Sequence, residues 1–382
     1  MDEYLSRKIK ILSFLSIILV LFLHSSIGGT FSFWTITESK GLVNNIVIFS
    51  LSQGATRIAV PLFMLISGYL FFRNVTRGGQ IIQKYKTRFK SLVLPYLFWE
   101  ISWLLIVLII LYLGGKYGIA NDSFKSTFFA DDITGGKNIF MAIIRPLPVW
   151  QLWFLRDLIC LVIVSPIIYY LTKYLRLIPL LLVIIILCFV FGKGQTSDIC
   201  YELFEGCYLN RSSASVLFFM IGSYFAICNK KIVLARCTNF YLPVVFALLW
   251  IVTLAARAYF SYQTNGYYLS CVLFQFSVLS GILFVWTGYD VVVKRHDLKQ
   301  LDGYLPYTFF IYCFHIPIMT YLSIALRFVI MQRIFGIPPQ SGLAYTIDYF
   351  VTPVIVFFLA VVTARLLIKV APRLYKISTG GR

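Results

Sequence analysis

Apolar stretches of about 17–25 residues recur along the whole chain, and each is long enough to cross a lipid bilayer as an α-helix. Residues 11–23, for example, read ILSFLSIILVLFL without one charged side chain. The chain is 59% hydrophobic and only 13% charged, whereas an average soluble domain carries about 25% charged residues. The apolar runs are continuous rather than alternating, which disfavours an outer-membrane β-barrel. The sequence therefore predicts an all-α, polytopic bundle of transmembrane helices.

The hydropathy pattern predicts ten spans in a single membrane domain that covers residues 1–382. The predicted spans are residues 11–28, 54–72, 91–113, 149–171, 176–192, 212–228, 239–260, 267–288, 304–326 and 346–369. An even number of spans places both termini on the same side of the membrane. Residues 1–29 also have the order of a cleaved signal peptide, with a basic start, an apolar stretch and small residues. The other nine spans keep the same orientation under either interpretation.

The formal net charge of +19 is better explained by membrane topology than by nucleic acid. Most of the Lys and Arg residues fall in alternate connecting segments, and short loops rich in Lys and Arg lie on the cytoplasmic side. The pattern predicts that both termini are cytoplasmic, and nucleic acid is not an expected partner. The most basic inner loop, residues 73–90, offers its cations to lipid headgroups or to a phosphorylated cytosolic ligand. Its cations are Arg73, Arg77, Lys84, Lys86, Arg88 and Lys90.

The eight cysteines do not have the spacing of a zinc site, so no metal ion is expected. Most of them fall within the predicted spans, where they serve packing. Cys200 and Cys207 share a predicted outer loop, so either a disulfide or two free thiols is consistent with the sequence.

Several ionisable side chains fall inside the predicted spans, where each costs about 2.5–3.5 kcal/mol on insertion scales and faces the bundle interior. His24 lies in the outer half of the first span, about 20 Å from its inner end, and Arg57 enters the second span from outside. Glu100 is near mid-depth of the third span, and Arg156 and Asp157 are about two turns into the fourth. Imidazole takes a proton near neutral pH, and arginine holds an oxyanion, a phosphate or a carboxylate. These residues predict a polar site inside the bundle.

Three other ionisable residues have simpler interpretations. His315, near mid-depth of the ninth span, is interpreted as structural or as a support for the site. Arg257 and Asp348 lie close to the outer ends of their spans, so they are expected to be hydrated. Adjacent residues on a helix project about 100° apart, so Arg156 and Asp157 are expected to have different partners.

Four segments occur in a distinctive order: RIAVPLFMLISGYLF (57–71), KYKTRFKSLVLPYLFWE (84–100), PLPVWQLWFLRDLICLVIVSPI (146–167) and YLPYTFFIYCFHIP (304–317). Together with a histidine at the end of the first span, they resemble the acyltransferase-3 family of membrane acyltransferases. The subgroup they resemble most is the bacterial O-acetyltransferases of surface glycans. The chain departs from the family pattern at Ser13, where arginine is common. It departs again after His24, where Ser25 and Ser26 replace a common acidic residue, and at Ser91, where arginine is common.

The resemblance implies an integral membrane O-acyltransferase of the bacterial inner (cytoplasmic) membrane. Such an enzyme would move an acetyl or other short acyl group from cytosolic acyl-CoA to a hydroxyl of an envelope or exported glycan. Acyl-CoA, usually acetyl-CoA, would be a donor substrate, and no permanently bound cofactor is expected. The acceptor would be a glycan or a lipid-linked glycan, and membrane lipid would surround the protein. Acetyl and succinyl donors are both consistent with the sequence.

The resemblance and the residue chemistry together imply catalytic roles for four side chains. His24 would act as general base on the acceptor hydroxyl, or would carry the acyl group transiently. Arg57 would stabilise the thioester oxyanion or orient the acceptor. Glu100 and Asp157 would orient His24 or pair with an arginine.

The remaining site residues would bind the two substrates. The six cations of residues 73–90 would bind the phosphates of CoA, with Ser67 of the second span close to the same end. Trp150, Trp153 and Arg156 would contact the sugar acceptor. The default role of the two tryptophans is to anchor the helix at the membrane boundary.

An exporter or flippase for a glycan or a small polar solute is the alternative function. The buried charges would then line a path through the bundle. Inverted repeats and interrupted helices near mid-membrane are the features that would favour such a carrier.

Overall fold

The computed structural model describes residues 2–25, 50–116, 152–178, 180, 209–261 and 267–381, and every regular element in these ranges is a helix. This confirms the predicted all-α fold. The α-helices are α1 (Glu3–Ser25), α2 (Ala59–Phe72), α3 (Gly79–Arg88), α4 (Leu94–Lys116), α5 (Trp153–Ile163), α6 (Ser165–Leu175), α7 (Leu209–Ile227), α8 (Lys230–Leu234), α9 (Tyr241–Ser261), α10 (Tyr267–Arg295), α11 (Thr308–Ile324), α12 (Gly342–Val370) and α13 (Pro372–Thr379).

Short 3-10 and π-helical segments connect several of these helices. The π-helical segments are Ser50–Gly54, Phe89–Val93 and Ala325–Ile334, and the 3-10 segments are Ala55–Ile58, Lys299–Leu301 and Leu305–Tyr307. Three of them matter for the site: Ser50–Gly54 and Ala55–Ile58 lead into α2, and Ala325–Ile334 continues α11.

Six helical segments in the described ranges are long and apolar enough to cross a membrane, and the number reaches eight if each of two bent pairs is one span. The chain is therefore a multi-pass membrane protein. The predicted count of ten spans and the cytoplasmic termini stay predictions. Most of the predicted fifth span, 176–192, lies outside the described residues.

Both bent pairs have a proline at the break. Helix α5 meets α6 at 63°, and Leu305–Ile316 meets Ile318–Ile334 at 55°. Pro166 is in the first turn of α6, and Pro317 occupies the second break. A proline lacks a backbone N–H and its ring clashes with the preceding turn, so a helix bends or ends where it reaches a proline, whereas the first turn of a new helix accepts one.

The basic segment 73–90 was expected to be a loop, but most of its second half is helical. Helix α3 covers Gly79–Arg88 and runs through a π-helical turn into α4. The Thr76 backbone N–H donates to Gln80 Oε1 at 2.8 Å just before the helix, and Ile81 is fully buried beneath it. Lys, Arg and Gln are good helix formers, which explains why this segment is a helix and not a loop.

Helix α1 lies at the centre of the described bundle. It packs against α2, α11, α12 and the 3-10 turn before α2, and it buries Leu12, Ile17 and Leu21 almost completely. Helix α9, by contrast, packs mainly against α10 and exposes large apolar side chains such as Leu248 and Ile251. Lipid tails are as apolar as these side chains, so α9 fits a position at the lipid-facing edge.

Helices α2 and α7 cross at two glycines. A Cβ at Gly68 would lie 2.2 Å from the carbonyl oxygen of Phe219, and a Cβ at Gly222 would lie 2.1 Å from that of Leu65. Small residues let two backbones approach this closely. The close contact fixes α2, whose ends carry the candidate site residues, against the rest of the bundle.

Candidate active site

A pair of histidines lies inside the bundle. His24, half-buried in the last turn of α1, faces His315 of α11, with the ring centroids 5.3 Å apart and the ring planes tilted by 35°. His315 is fully buried, and its Nδ1 lies 2.6 Å from the carbonyl oxygen of Tyr312. Because a carbonyl only accepts, the neutral His315 ring carries its proton on Nδ1 and has a lone pair on Nε2. Within the described part of the chain, this buried Nε2 has no hydrogen-bond partner.

Tyr312 connects the histidine pair to two other helices. Its ring lies 6.1 Å from that of His315 and 5.7 Å from that of Phe154. Its hydroxyl is hydrogen-bonded to the backbone of Leu155, and the carboxylates of Asp157 and Glu100 are close enough to interact with it electrostatically. Tyr312 was not among the predicted site residues. Its position one helical turn before His315 is the signal that would have found it.

Glu100, Asp157 and Arg156 form a charged group beside Tyr312. Glu100 of α4 is 3% exposed and Asp157 of α5 is 6% exposed. Arg156 Nη2 lies 3.5 Å from Asp157 Oδ1, and Arg156 also interacts with Glu100 and Tyr96. The prediction that Arg156 and Asp157 have different partners is therefore wrong. The long arginine side chain reaches its neighbour Asp157 on the same helix. Glu100 interacts with Arg156 electrostatically and is hydrogen-bonded to Tyr96.

Arg57 lies half-buried in the 3-10 turn Ala55–Ile58, which packs against α1. In the preceding turn, the Ser52 hydroxyl donates to the Tyr349 hydroxyl at 3.1 Å. The Tyr349 ring also contacts Phe22, at 5.8 Å between centroids. Tyr349 thus brings the segment that carries Arg57 to the end of α1 that carries His24.

The six cations of residues 73–90 divide into two groups. Arg73, Lys84 and Arg88 are half-buried, and Lys84 interacts electrostatically with the two arginines; we call these three the basic cluster. Lys84 Nζ and the Arg88 guanidinium lie 5.4 and 5.6 Å from the Phe71 ring centroid, and Lys84 donates to the Phe71 carbonyl. Arg73 Nη1 is buried and has no hydrogen-bond partner among the described residues. The other three, Arg77, Lys86 and Lys90, are exposed.

The other predicted binding residues are only partly described. Ser67 is half-buried on α2, one turn before Phe71, and Trp153 is half-buried at the first residue of α5. Trp150, Cys200 and Cys207 lie outside the described residues. Among the described residues, no group of three or more His, Cys, Asp or Glu side chains could hold a metal ion.

The expectation that Asp348 is hydrated is wrong. Its side chain is 3% exposed and lies 3.3 Å from Nε of the equally buried Arg327. The hydroxyls of Ser323 and Thr352 donate to its two oxygens. The reason is the π-helical continuation of α11, which packs against α12 and supplies Arg327. Arg257 is half-buried, with its guanidinium 4.5 Å from the Phe274 ring centroid.

A polar cluster inside a multi-pass helical bundle is typical of a membrane protein that acts on, or moves, a polar substrate. Comparison with known families supports the first of these classes, because a family model described as an acyltransferase domain matches residues 8–368. The protein is a multi-pass membrane acyltransferase. The chain belongs to the acyltransferase-3 family, as the sequence motifs indicated.

The succinoglycan biosynthesis protein ExoH of Rhizobium meliloti (strain 1021) is similar over the full length of the chain. The two are 26% identical over 387 aligned residues, which cover 100% of this chain and 94% of ExoH. No solved structure matches the chain significantly.

Proposed function

We propose that the protein transfers an acetyl or other short acyl group from cytosolic acyl-CoA to a hydroxyl of an envelope or exported glycan in the bacterial inner membrane. The observation that carries the proposal is the position of His24, half-buried inside the bundle against the fully buried His315. The family supplies acyl transfer as the reaction. A relative named for succinoglycan biosynthesis supports a glycan as the acceptor.

The basic cluster is the proposed site for the phosphates of CoA. Arginine matches phosphate oxygens with two parallel hydrogen bonds, and charge-assisted bonds of this kind are strong. The buried Nη1 of Arg73 would gain a partner from the ligand. Exposed Arg77, Lys86 and Lys90 would add attraction at longer range and not direct contacts.

The two ends of α2 set the distance that the donor has to cover. Arg57 precedes α2 and Arg73 follows it, and sixteen residues of helix span about 24 Å. The charged nucleotide of CoA would stay at the basic cluster, because ionic groups are costly inside a membrane bundle. Only the uncharged thioester arm would then reach the histidine.

The chemistry that His24 supports is direct acyl transfer. His24 takes the proton from the acceptor hydroxyl while the hydroxyl oxygen attacks the thioester carbonyl. Arg57 stabilises the oxyanion that forms. The carbon–sulfur bond then breaks, the CoA thiolate takes the proton from the imidazolium, and CoA thiol and an O-acyl ester are the products. In the covalent variant, His24 itself attacks the carbonyl and passes the acyl group to the hydroxyl.

Arg156 and Trp153 are the proposed contacts for the acceptor. Glu100 and Asp157 offset the charge of Arg156, so its N–H groups suit neutral sugar hydroxyls better than an anionic ligand. Trp153 offers an aromatic face at the start of the same helix, and Trp150 precedes it in the sequence.

Purified protein in liposomes tests the proposal against a carrier. The carrier has some support, because the two bent helix pairs are interrupted helices of the kind that transporters use. We expect release of free CoA thiol only when both acyl-CoA and an acceptor glycan are present, with acetyl-CoA and succinyl-CoA compared at equal concentration. Solute flux without thioester consumption would contradict the proposal and identify a carrier.

A further inference from the structure

We propose that His315 is a positioning residue for His24. Its Nε2 would accept a hydrogen bond from a ring N–H of His24, which fixes one tautomer of His24 and assigns the other ring nitrogen to the proton of the substrate hydroxyl. This inference rests on the proposed function, in which His24 is the base. It gives a role to a buried side chain that acyl transfer by His24 alone does not use.

The geometry of the two rings fits such a contact. A centroid separation of 5.3 Å is short enough for an N–H···N bond between two imidazole rings that meet edge to edge. Among the described residues, the structure has no hydrogen bond at His315 Nε2, so the half-buried His24 ring would turn to make this contact. The tilt of 35° is modest, so the in-plane lone pair of one ring can face the N–H of the other. The rings come from α1 and α11, which pack against each other along the bundle.

The Nε2 lone pair of His315 has a fixed direction. Nδ1 is held at 2.6 Å from the Tyr312 carbonyl oxygen, one turn earlier on the same helix. Tyr312 is itself held by Phe154 and the backbone of Leu155. The ring therefore cannot turn without breaking a buried hydrogen bond. His315 Nε2 is thus a buried acceptor that is held in one orientation and has no hydrogen-bond partner in the described chain. Buried polar atoms are normally hydrogen-bonded, so its presence requires an explanation.

A neutral partner suits this site better than a carboxylate. In many His-dependent enzymes a carboxylate orients the base and fixes its tautomer. Here the carboxylate of Asp157, which interacts with Tyr312, is 3.5 Å from Arg156, and Glu100 interacts with the same arginine. The residue after His24 is a serine whose hydroxyl donates to the Phe22 carbonyl at 2.9 Å. His315 supplies the acceptor without adding another buried charge.

Two amide substitutions separate the two nitrogens of His315. The amide of His315→Asn reaches the position of Nδ1, so it keeps the bond to Tyr312 and removes the acceptor at Nε2. The amide of His315→Gln reaches the position of Nε2, so it restores an acceptor oxygen and gives up the bond to Tyr312. A structural role predicts that Asn is the better replacement, and a positioning role predicts that Gln is.

We expect His315→Asn to lower kcat for acceptor acylation about 100-fold, with the KM for acyl-CoA unchanged within about twofold. His315→Gln is expected to keep at least about tenfold more activity than His315→Asn. The variants are compared at equal abundance in the membrane. Equal activity of both variants and the wild type, or greater activity of His315→Asn, would overturn the inference. Failure of His315→Asn to accumulate beside a stable His315→Gln would contradict the assigned roles of the two nitrogens.

Nitrogen-15 NMR of labelled histidine gives a readout that does not need turnover. The chain has three histidines, so the His24 signals are assigned by their loss in His24→Ala. We expect one His24 tautomer in the wild type and a mixture in His315→Asn. A single tautomer in both, with transfer lost in His24→Ala, overturns the positioning role and leaves the proposed function intact. A mixture in His315→Asn with full transfer in His24→Ala supports the contact and overturns the proposed function.

Discussion

Lys8 and Asp290 form a buried ion pair that joins the first helix to α10. Lys8 Nζ lies 2.8 Å from Asp290 Oδ1, and both side chains are 2% exposed. The Tyr4 hydroxyl donates to the same oxygen at 2.6 Å, and the Cys237 backbone N–H donates to Oδ2 at 2.9 Å. The ammonium also lies 4.3 Å from the Trp286 ring centroid. The Lys8 ammonium, the Tyr4 hydroxyl and the Cys237 N–H each have a partner in the Asp290 carboxylate. The group therefore fixes the position of α1 relative to α10.

Removing one partner of this pair leaves a buried charge uncompensated. We expect Lys8→Met to lower the free energy of unfolding by about 3–5 kcal/mol. The matched control is Lys10→Met, because Lys10 is exposed two residues away. Thermal unfolding in detergent measures both. The double variant Lys8→Met with Asp290→Leu is expected to recover only part of the loss, because the Tyr4 hydroxyl and the Cys237 N–H then lose their acceptor. A double variant less stable than Lys8→Met would contradict the assigned ion pair.

The crossing of α2 and α7 predicts a second stability effect. Gly68→Ala would place a methyl group 2.2 Å from the Phe219 carbonyl oxygen, so the helices have to separate, at about 1–3 kcal/mol. Gly79→Ala is the control, since a Cβ there meets nothing within 4 Å. The midpoint of thermal unfolding should fall for Gly68→Ala and stay unchanged for Gly79→Ala. Equal midpoints would show that the crossing is looser than described.

The division of the basic residues predicts unequal effects on donor binding. Arg73→Gln is expected to weaken acyl-CoA binding about tenfold, because Arg73 belongs to the basic cluster and its buried Nη1 faces no protein acceptor in the described chain. Arg77→Gln, exposed in the same segment, is expected to change affinity less than about threefold. Calorimetric titration with CoA measures both. If the two variants lose affinity equally, the basic cluster is not the phosphate site.

The end of the chain is fixed to the start of α4. Trp99 Nε1 donates to the Ser378 carbonyl at 2.9 Å, and Gly380 has a φ of +69° with its Cβ position 2.7 Å from Ser91 Cα. Gly380→Ala therefore combines backbone strain with a clash and should release α13. Gly381→Ala has similar strain at φ +78° but no close contact, and it is the control.

Tryptic cleavage after Lys376, which is exposed on α13, reports the release. We expect cleavage of Gly380→Ala to be at least about tenfold faster than that of the wild type, since left-handed backbone strain alone costs about 1–2 kcal/mol per residue. Gly381→Ala should show the smaller acceleration. The reverse order would mean that the contact with Ser91 does not hold the tail.

The sequence predicts the membrane-spanning helices because apolar length is a local property. Continuous apolar runs identified α1, α9, α10 and α12 without any knowledge of their neighbours. The depth of His24 within α1 could be predicted for the same reason, because the residue lies near the end of an apolar run. The whole of α3 was missed, because a helix rich in Lys, Arg and Gln has no long apolar run to mark it.

The pairing of buried charges could not be predicted, because it depends on which helices meet. Lys8 and Asp290 are 282 residues apart, and the sequence around either residue does not indicate which residue is its partner. Asp348 was expected to be hydrated because its depth alone was considered, whereas Arg327 reaches it from a π-helical segment that periodicity does not reveal.

Substitution of His24 shows whether this residue is the base for acyl transfer. Acceptor acylation is measured in membranes that contain equal amounts of wild type, His24→Ala and His296→Ala, the last being an exposed histidine outside the site. We expect the acylation rate of His24→Ala to fall at least about 100-fold, while that of His296→Ala equals the wild-type rate. Acylation by His24→Ala at the wild-type rate would contradict this role of His24.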